Sequence, residues 1–477
     1  MSVKNMEFED EDTFAPMSPS AQYLKSSALS LSILGVLEFQ LPIDDSMTMQ
    51  LLKEVFLPIN PRFSSIMVTD DKGVKKWKKV DVHLKEHVHV PTSGDNSVVF
   101  YDEFLTNYLS KLATEEFPPS RPLWEIHIIK YPTTNAAGSI IFKLHHSLGD
   151  GYSLMGALLS CLQRVDNPVM PLTFPSQKSN AKDRDTTRGY GFLRRLPKVF
   201  SGLSYTLHDF GWNIFKSNLI QDDKSPVRSG VEGVEFRPIV TCTSTFSIDS
   251  LRQIKSKLNV TLNDVITGII IFGTRLYMQK TSQESGGEAK CTSLVLFNTR
   301  AIGGYKSVNE MIKPESQTPW GNRFAFLLVS IPKLTKNESD DPLIFVEKAH
   351  RMIKRQKNSA AVHLTGQLLG LITKIRGPEA TARYIHGTLK NTSMAISSLI
   401  GPVEQMALAG QPINGLYFAV AGPPQSLSVT MVSYVGKLRI AMTMEKGFMD
   451  PNKFKSCIEY AFESIYSAAL NATPTKQ

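Results

Sequence analysis

Apolar and polar positions alternate clearly just past the middle of the first half. Ile140, Phe142 and Leu144 fall to one face and Ile141 and Lys143 to the other, so Gly138–Leu144 predicts a strand. The next run, Tyr152–Leu162, loses that period and predicts an apolar helix. The same reading predicts strands at 30–41, 63–68, 77–82 and 123–129. In the second half it predicts them at 243–248, 293–297, 324–331, 394–399, 415–420, 427–435 and 437–443. Helices are expected at 46–56 with Ser46 as cap, at 102–113, 250–258 and 451–470, and over a long region from about Asp341 to Gln367. A buried helix follows Val260, capped by Thr261 or Asn263. Each half mixes strands and helices without regular βαβ alternation, which makes the fold class α+β.

The pattern also divides the chain. Residues 1–15 read as a disordered acidic N-terminus, 16–175 as an N-terminal domain, 176–235 as a linker and 236–477 as a C-terminal domain. Within the linker, 176–190 is polar and aperiodic. Leu196, Val199, Leu203, Leu207, Phe210 and Ile214 then recur at spacings of three and four, flanked by Arg194, Arg195, Lys198 and Lys216. Such a basic amphipathic stripe suits a membrane interface, and equally suits packing on its own domain. Lys198, His208 and Asp209 argue against a simple span.

Composition narrows the class. At 477 residues the chain suits two domains, and 42% apolar with 20% charged residues is globular. The net charge of +9 is compatible with an anionic membrane or an acidic ligand such as a nucleotide thioester. No zinc-ligand cluster, Walker loop or aromatic–basic RNA motif supports nucleic acid or metal. Cys161, Cys242, Cys291 and Cys457 show no framework spacing and read as reduced thiols in a cytosol-facing protein. The acidic start does not have the form of a signal peptide, and no run of about 18 uncharged apolar residues occurs.

The chemistry concentrates in His145-His146-Ser147-Leu148-Gly149-Asp150-Gly151, the loop between the strand and the apolar helix. A histidine there can serve as a general base at neutral pH. Adjacent side chains at a strand end point opposite ways, so only one of the two can face a given substrate. Asp150 is too near in sequence to be a remote triad member and more plausibly holds the loop. His127, alone on its strand, reads as structural. No cysteine or serine has the surroundings of an activated nucleophile.

This loop, with Pro16-Met17-Ser18-Pro19, Pro122-Leu123-Trp124-Glu125, Asn263-Asp264-Val265, Asn298-Thr299-Arg300, Gly321-Asn322 and Ser398-Leu399-Ile400-Gly401-Pro402, resembles the plant wax ester synthase/diacylglycerol acyltransferase family. That family belongs to the coenzyme A-dependent acyltransferase superfamily. The resemblance implies two similar chloramphenicol acetyltransferase-like domains flanking a central channel, with acyl-CoA and the acceptor entering from opposite ends. It implies transfer of a long-chain acyl group from acyl-CoA to a fatty alcohol, to diacylglycerol, or to both, with acyl-CoA as co-substrate and no bound cofactor. His146 would be the base. His145, Asp150 and Gly151 would be structural, Arg300 would pair with Asp150, and Asn263 and Asp264 would shape the channel or the oxyanion site. The expected place is the cytosolic face of the endoplasmic reticulum membrane, with the plasma membrane second.

Two rivals remain at this point. One is a soluble acyltransferase of plant secondary metabolites. Its relatives resemble this chain at the His-His loop but carry Asp-Phe-Gly-Trp-Gly near the C-terminus. Here Asp209-Phe210-Gly211-Trp212 lies in the first half and is followed by Asn213. The other is a lipid-binding protein that keeps the fold without the reaction.

Overall fold

The computed structural model describes residues 14–71, 74–92, 98–174, 220–282, 288–300, 308–313, 316, 319–334, 341–357 and 361–471. The linker at 176–190 and the stripe at 194–216 lie outside these residues, as does most of the expected acidic N-terminus; Phe14 and Ala15 already belong to a strand. In chain order the strands of the first half are β1 Phe14–Pro16, β2 Ser32–Phe39, β3 Ser65–Thr69, β4 Lys75–Lys79, β5 Val88–His89, β6 Trp124–Ile129, β7 Gly138–His145 and β8 Gln163–Arg164. The second half supplies β9 Ile239–Ser247, β10 Cys291–Asn298, β11 Phe324–Ile331, β12 Met394–Ile400, β13 Met406–Leu408, β14 Gln411–Ala421, β15 Leu427–Tyr434 and β16 Lys437–Glu445.

They form a small sheet β1-β4-β3, a seven-stranded sheet β5-β6-β7-β2-β14-β13-β8 and a six-stranded sheet β11-β10-β12-β15-β16-β9. β7 sits inside the seven-stranded sheet and is buried along its whole length. Ile140, Phe142 and Leu144 enter one core, together with Leu148 and Leu154 from the loop and helix beyond. Ile141 enters another, with Leu105, Leu109 and Leu112 of the helix Val98–Thr114. Both faces of the sheet are therefore covered. The six-stranded sheet packs its apolar side on helices Ile248–Leu258, Leu262–Thr281, Leu343–Lys357 and Pro451–Asn471.

The expected boundary at 236 does not describe the sheets. β13 and β14 leave the second half and complete the seven-stranded sheet, β14 pairing antiparallel with β2 from Ile413↔Phe39 to Ala421↔Ser32. The reason is local. β14 is apolar on both faces, and Ile413, Leu416 and Phe418 find the first core on one side while Tyr417 and Ala419 find the other. A buried ion pair also joins the sheets: Arg439 of β16 donates to both carboxylate oxygens of Glu38 on β2 and lies over the Tyr417 ring. Burial raises the Glu38 carboxyl despite Arg439, so the pair is held in a poorly hydrated gap.

Two helical expectations change. Ser46 is not a cap. Helix Thr48–Leu51 starts after Met47 without a side-chain cap and runs into a wider turn, Leu52–Phe56. The long region from 341 resolves into Leu343–Lys357 and Ala361–Lys390. The second passes the Pro378 barrier by breaking at Gly377, where φ is +80°. Among the described residues no helix is long and apolar enough to cross a membrane.

Candidate active site

The ladder of β7 fixes which way each histidine points. Ser32 pairs with His145, and the contacts continue one step beyond, with His145 N–H donating to the Leu123 carbonyl and His146 N–H to the Leu31 carbonyl. The strand ends at His145 and the chain turns at His146, and the two rings meet different sets of partners.

His145 is fully buried. Its Nδ1 accepts from Ser147 N–H at 3.1 Å and lies 2.8 Å from Ser147 Oγ, while Nε2 meets Ser30 Oγ at 3.1 Å. A ring nitrogen that accepts a backbone N–H is unprotonated, so the proton is on Nε2 and both nitrogens are used. Burial, with Lys25, His146, Lys75 and Lys143 around it, holds the ring well below the usual histidine pKa. His145 therefore stays neutral and has no free nitrogen to offer a substrate.

His146 is arranged differently. Asn322 grips it twice: its amide Nδ2 donates to the His146 carbonyl at 3.0 Å, and its Oδ1 lies 2.8 Å from His146 Nδ1. The first contact fixes the amide orientation, so Oδ1 is an acceptor and Nδ1 must carry the proton. The lone pair is left on Nε2. The edge-on Phe324 ring, 5.6 Å between centroids, packs beside the imidazole. Burial lowers the His146 pKa, and Asp150 and the Asn322 contact only partly offset it. The neutral, proton-accepting form thus prevails at pH 7. Asn322 does for this imidazole what a buried acid does in other base-orienting pairs, without adding a negative charge.

Asp150 caps helix Gly151–Ser160 through Ser153 N–H at 3.0 Å. Its carboxylate also meets Arg300 in a two-pronged pair, Nη1 to Oδ2 at 2.7 Å and Nη2 to Oδ1 at 3.1 Å, and accepts Arg323 N–H at 2.9 Å. Arg300 spends its other donors on the Pro319 and Gly321 carbonyls and on Ser153 Oγ. The pair thus ties the His-His loop to the turn 319–323 that carries Asn322. That turn needs a glycine, since Gly321 sits at φ +115°. Trp320 Nε1 and Arg62 Nη1 both donate to the Leu148 carbonyl and satisfy the loop's buried backbone. Gly151 is also constrained, because a Cβ there would lie 2.8 Å from Leu399 Cδ2.

Two further expected site residues lie at one helix start. Asp264 forms a capping box with Thr261 at the start of helix Leu262–Thr281, and its Oδ2 also meets His350 Nδ1 at 2.8 Å. A carboxylate used this way accepts and cannot donate to an oxyanion, so the oxyanion role is withdrawn for Asp264. Asn263 is exposed on the first turn of the same helix. His127 lies within packing, with Tyr108 Oη 2.9 Å from its Nδ1 and the His89 ring stacked on it. Asn322 was absent from the expected site. It lies 176 residues from His146, and nothing in the local pattern of a Trp-Gly-Asn-Arg turn points to the loop it serves.

Removing this grip has a specific expected effect. Asn322→Ala should lower turnover by about 10²-fold, because a ring freed to rotate loses its alignment. It should also move the acid limb of the kcat/KM profile to lower pH, since the Asn322 contact raises the His146 pKa. Asn322→Asp should move that limb upward. A pH–rate series on the three proteins reads both shifts, and an unmoved limb would refute the assigned tautomer.

A sequence model of the wax ester synthase/diacylglycerol acyltransferase catalytic domain matches residues 57–266, and one of the WS/DGAT C-terminal domain matches 320–466. Wax ester synthase/diacylglycerol acyltransferase 4 of Arabidopsis thaliana is 28% identical over 481 residues, covering 96% of this chain and 91% of that protein. Number 6 of the same plant is 28% identical over 500 residues, covering 98% and 96%. A solved structure, the wax ester synthase/diacylglycerol acyltransferase from Marinobacter aquaeolei VT8, superposes with a TM-score of 0.58 at 16% identity, covering 95% of this chain and all of that one.

Proposed function

This chain belongs to the wax ester synthase/diacylglycerol acyltransferase family, and from that membership and the geometry at His146 we propose that it is an acyl-CoA-dependent O-acyltransferase with His146 Nε2 as general base. The observation that carries the reading is the pair of contacts from Asn322, which put the proton on Nδ1 and leave Nε2 open.

The chemistry follows from that lone pair. An alcohol has a hydroxyl pKa near that of water and is a weak nucleophile, so Nε2 removes its proton as the oxygen attacks the thioester carbonyl carbon. The carbonyl becomes a tetrahedral oxyanion. Collapse breaks the carbon–sulfur bond, and the protonated imidazole returns its proton to the leaving CoA thiolate. The products are an ester and free CoA, and His146 is again neutral. Because one histidine serves both steps, no acyl-enzyme is required. The cysteines support this: burial pushes the Cys161 and Cys242 thiols up to about 12, which leaves them without nucleophilic thiolate.

The acceptors proposed are a fatty alcohol, giving a wax ester, and diacylglycerol, giving triacylglycerol. Both are insoluble in water, which supports an endoplasmic reticulum membrane with the catalytic face toward the cytosol. Microsomes and soluble fractions from cells expressing the protein would receive labelled long-chain acyl-CoA, with long-chain alcohol and diacylglycerol in parallel. Product in the microsomes with either acceptor supports the reading and names the acceptor. No product with either sinks the reaction, and product confined to the soluble fraction sinks the location.

A further inference from the structure

The helix Ala361–Lys390 behaves differently on the two sides of its break. Beyond Gly377, Ala382, Ile385 and Leu389 are buried in an apolar cluster with Leu294 and Leu328. Before it, Leu364, Leu368, Leu371, Ile372 and Ile375 recur on one face, and that face is open: Leu371 is 54% and Ile375 70% exposed, the other three half-buried. A stripe of this length is costly to leave in water and marks a surface that meets something apolar.

The charge around it says what that is. Residues 343–376 carry seven lysines and arginines against a single acid, Glu347, so six of the chain's nine net positive charges fall in this one segment. Arg351, Lys354, Arg355 and Lys357 on helix Leu343–Lys357 are exposed, as are Lys374 and Arg376 at the end of the apolar face. The two helices contact each other. An apolar face that follows a cationic helix, ends at Lys374 and Arg376 and has Glu347 as the one acid in the segment fits the boundary of an anionic bilayer, where the apolar side chains enter the acyl region and the cations meet headgroups. A folded protein partner would more often present a mixed-charge rim.

Position gives the arrangement a purpose. Leu369, on the inner side of the same half-helix, packs on the cluster that Phe324 also borders, and Phe324 lies against the His146 ring. Apolar side chains thus connect the open stripe with the proposed base.

We propose that residues 361–376, with the cationic helix before them, form the surface by which this protein docks on an anionic lipid bilayer. This assigns membrane contact to the second half of the chain, apart from the 194–216 stripe. The docking stands on burial and charge alone; that it delivers the acceptor to His146 rests on the acyltransferase reading.

The test is co-sedimentation of the purified full chain with phosphatidylcholine vesicles, with and without phosphatidylserine. The parent should pellet with the anionic vesicles and be released by salt. Leu371→Glu/Ile375→Glu should weaken binding roughly tenfold or more, with an unchanged circular dichroism spectrum and melting curve. Lys354→Glu/Arg355→Glu should remove the preference for phosphatidylserine, at about a few-fold per charge. A parent that ignores both vesicles overturns the proposal, as does a Leu371→Glu/Ile375→Glu protein that pellets like the parent. A parent that ignores lipid but elutes as a dimer, dissociated by the same double change, would assign the face to a second copy instead. Turnover is measured separately on a short, soluble alcohol. Vesicle binding without transfer refutes the reaction and supports the docking, and transfer without vesicle binding does the reverse.

Discussion

His146→Ala is expected to lower acyl transfer from long-chain acyl-CoA by about 10²–10⁴-fold, the range for loss of a positioned acid–base group. The expectation rests on one free nitrogen. His145 has both ring nitrogens engaged and cannot stand in. The thiols are held protonated by burial. Substrate binding should change less than turnover, because the base acts on a proton that moves only in the reaction. His145→Ala makes the useful contrast. It should reduce stability, by leaving Ser30 and Ser147 without their buried partner, and should reduce activity only in proportion to the folded protein that remains. Single-turnover rates normalised to folded protein separate the two. Equal normalised rates in His146→Ala and parent would dismiss His146 as the base.

The second large effect is on stability. Arg300→Ala should cost about 3–5 kcal/mol, because it leaves the Asp150 carboxylate buried with only backbone N–H groups to answer its charge. The Gly321 and Pro319 carbonyls lose a donor at the same time. Activity should fall as well, since the turn carrying Asn322 loses its tie to the His-His loop. Replacing both members, Asp150→Leu with Arg300→Met, should be less destabilising than Arg300→Ala, because it removes the stranded charge along with its partner. Denaturant midpoints of parent, single and double variants decide the matter. A single variant that unfolds with the parent would mean the pair does not hold the two halves together.

Local pattern predicted β7, its loop and the helix after it, because a buried strand with alternating apolar positions and a helix opening at Asp150 are both short-range events. It also placed the strands 324–331, 427–435 and 437–443 close to where they fold. What it missed depends on distant chain. β14 looks like any apolar strand, and only the surroundings of Leu416, Tyr417 and Phe418 decide that it joins the first sheet. The helical region expected to stop near Gln367 runs on to Lys390, resuming after the break at Gly377 because Ala382, Ile385 and Leu389 are drawn into a core. The channel role of Asp264 came from the resemblance, and in the fold its carboxylate serves the helix start. The Asp150–Arg300 pairing came from resemblance rather than from spacing, and no rule of spacing reaches Asn322.

The crossing of β14 into the first sheet also sets an order on biosynthesis. β2 and β7 leave the ribosome early, but the strand that covers the outer side of β2 is finished only after Ala421. At roughly 5–20 residues per second, the 266 residues from His145 to Gln411 take about a quarter of a minute to a minute. Throughout that interval β2 has a bare edge of unpaired N–H and C=O groups with Ile33, Leu34, Val36 and Leu37 beside it, a template for any other nascent strand. A nascent chain released before Met406 should therefore aggregate rather than accumulate as a soluble half, which pelleting of a stop-codon variant at that point would read directly. For the cell, the first half is not an independent unit that waits for its partner: its sheet stays open at β2 until only about the last eighth of the chain is left to make.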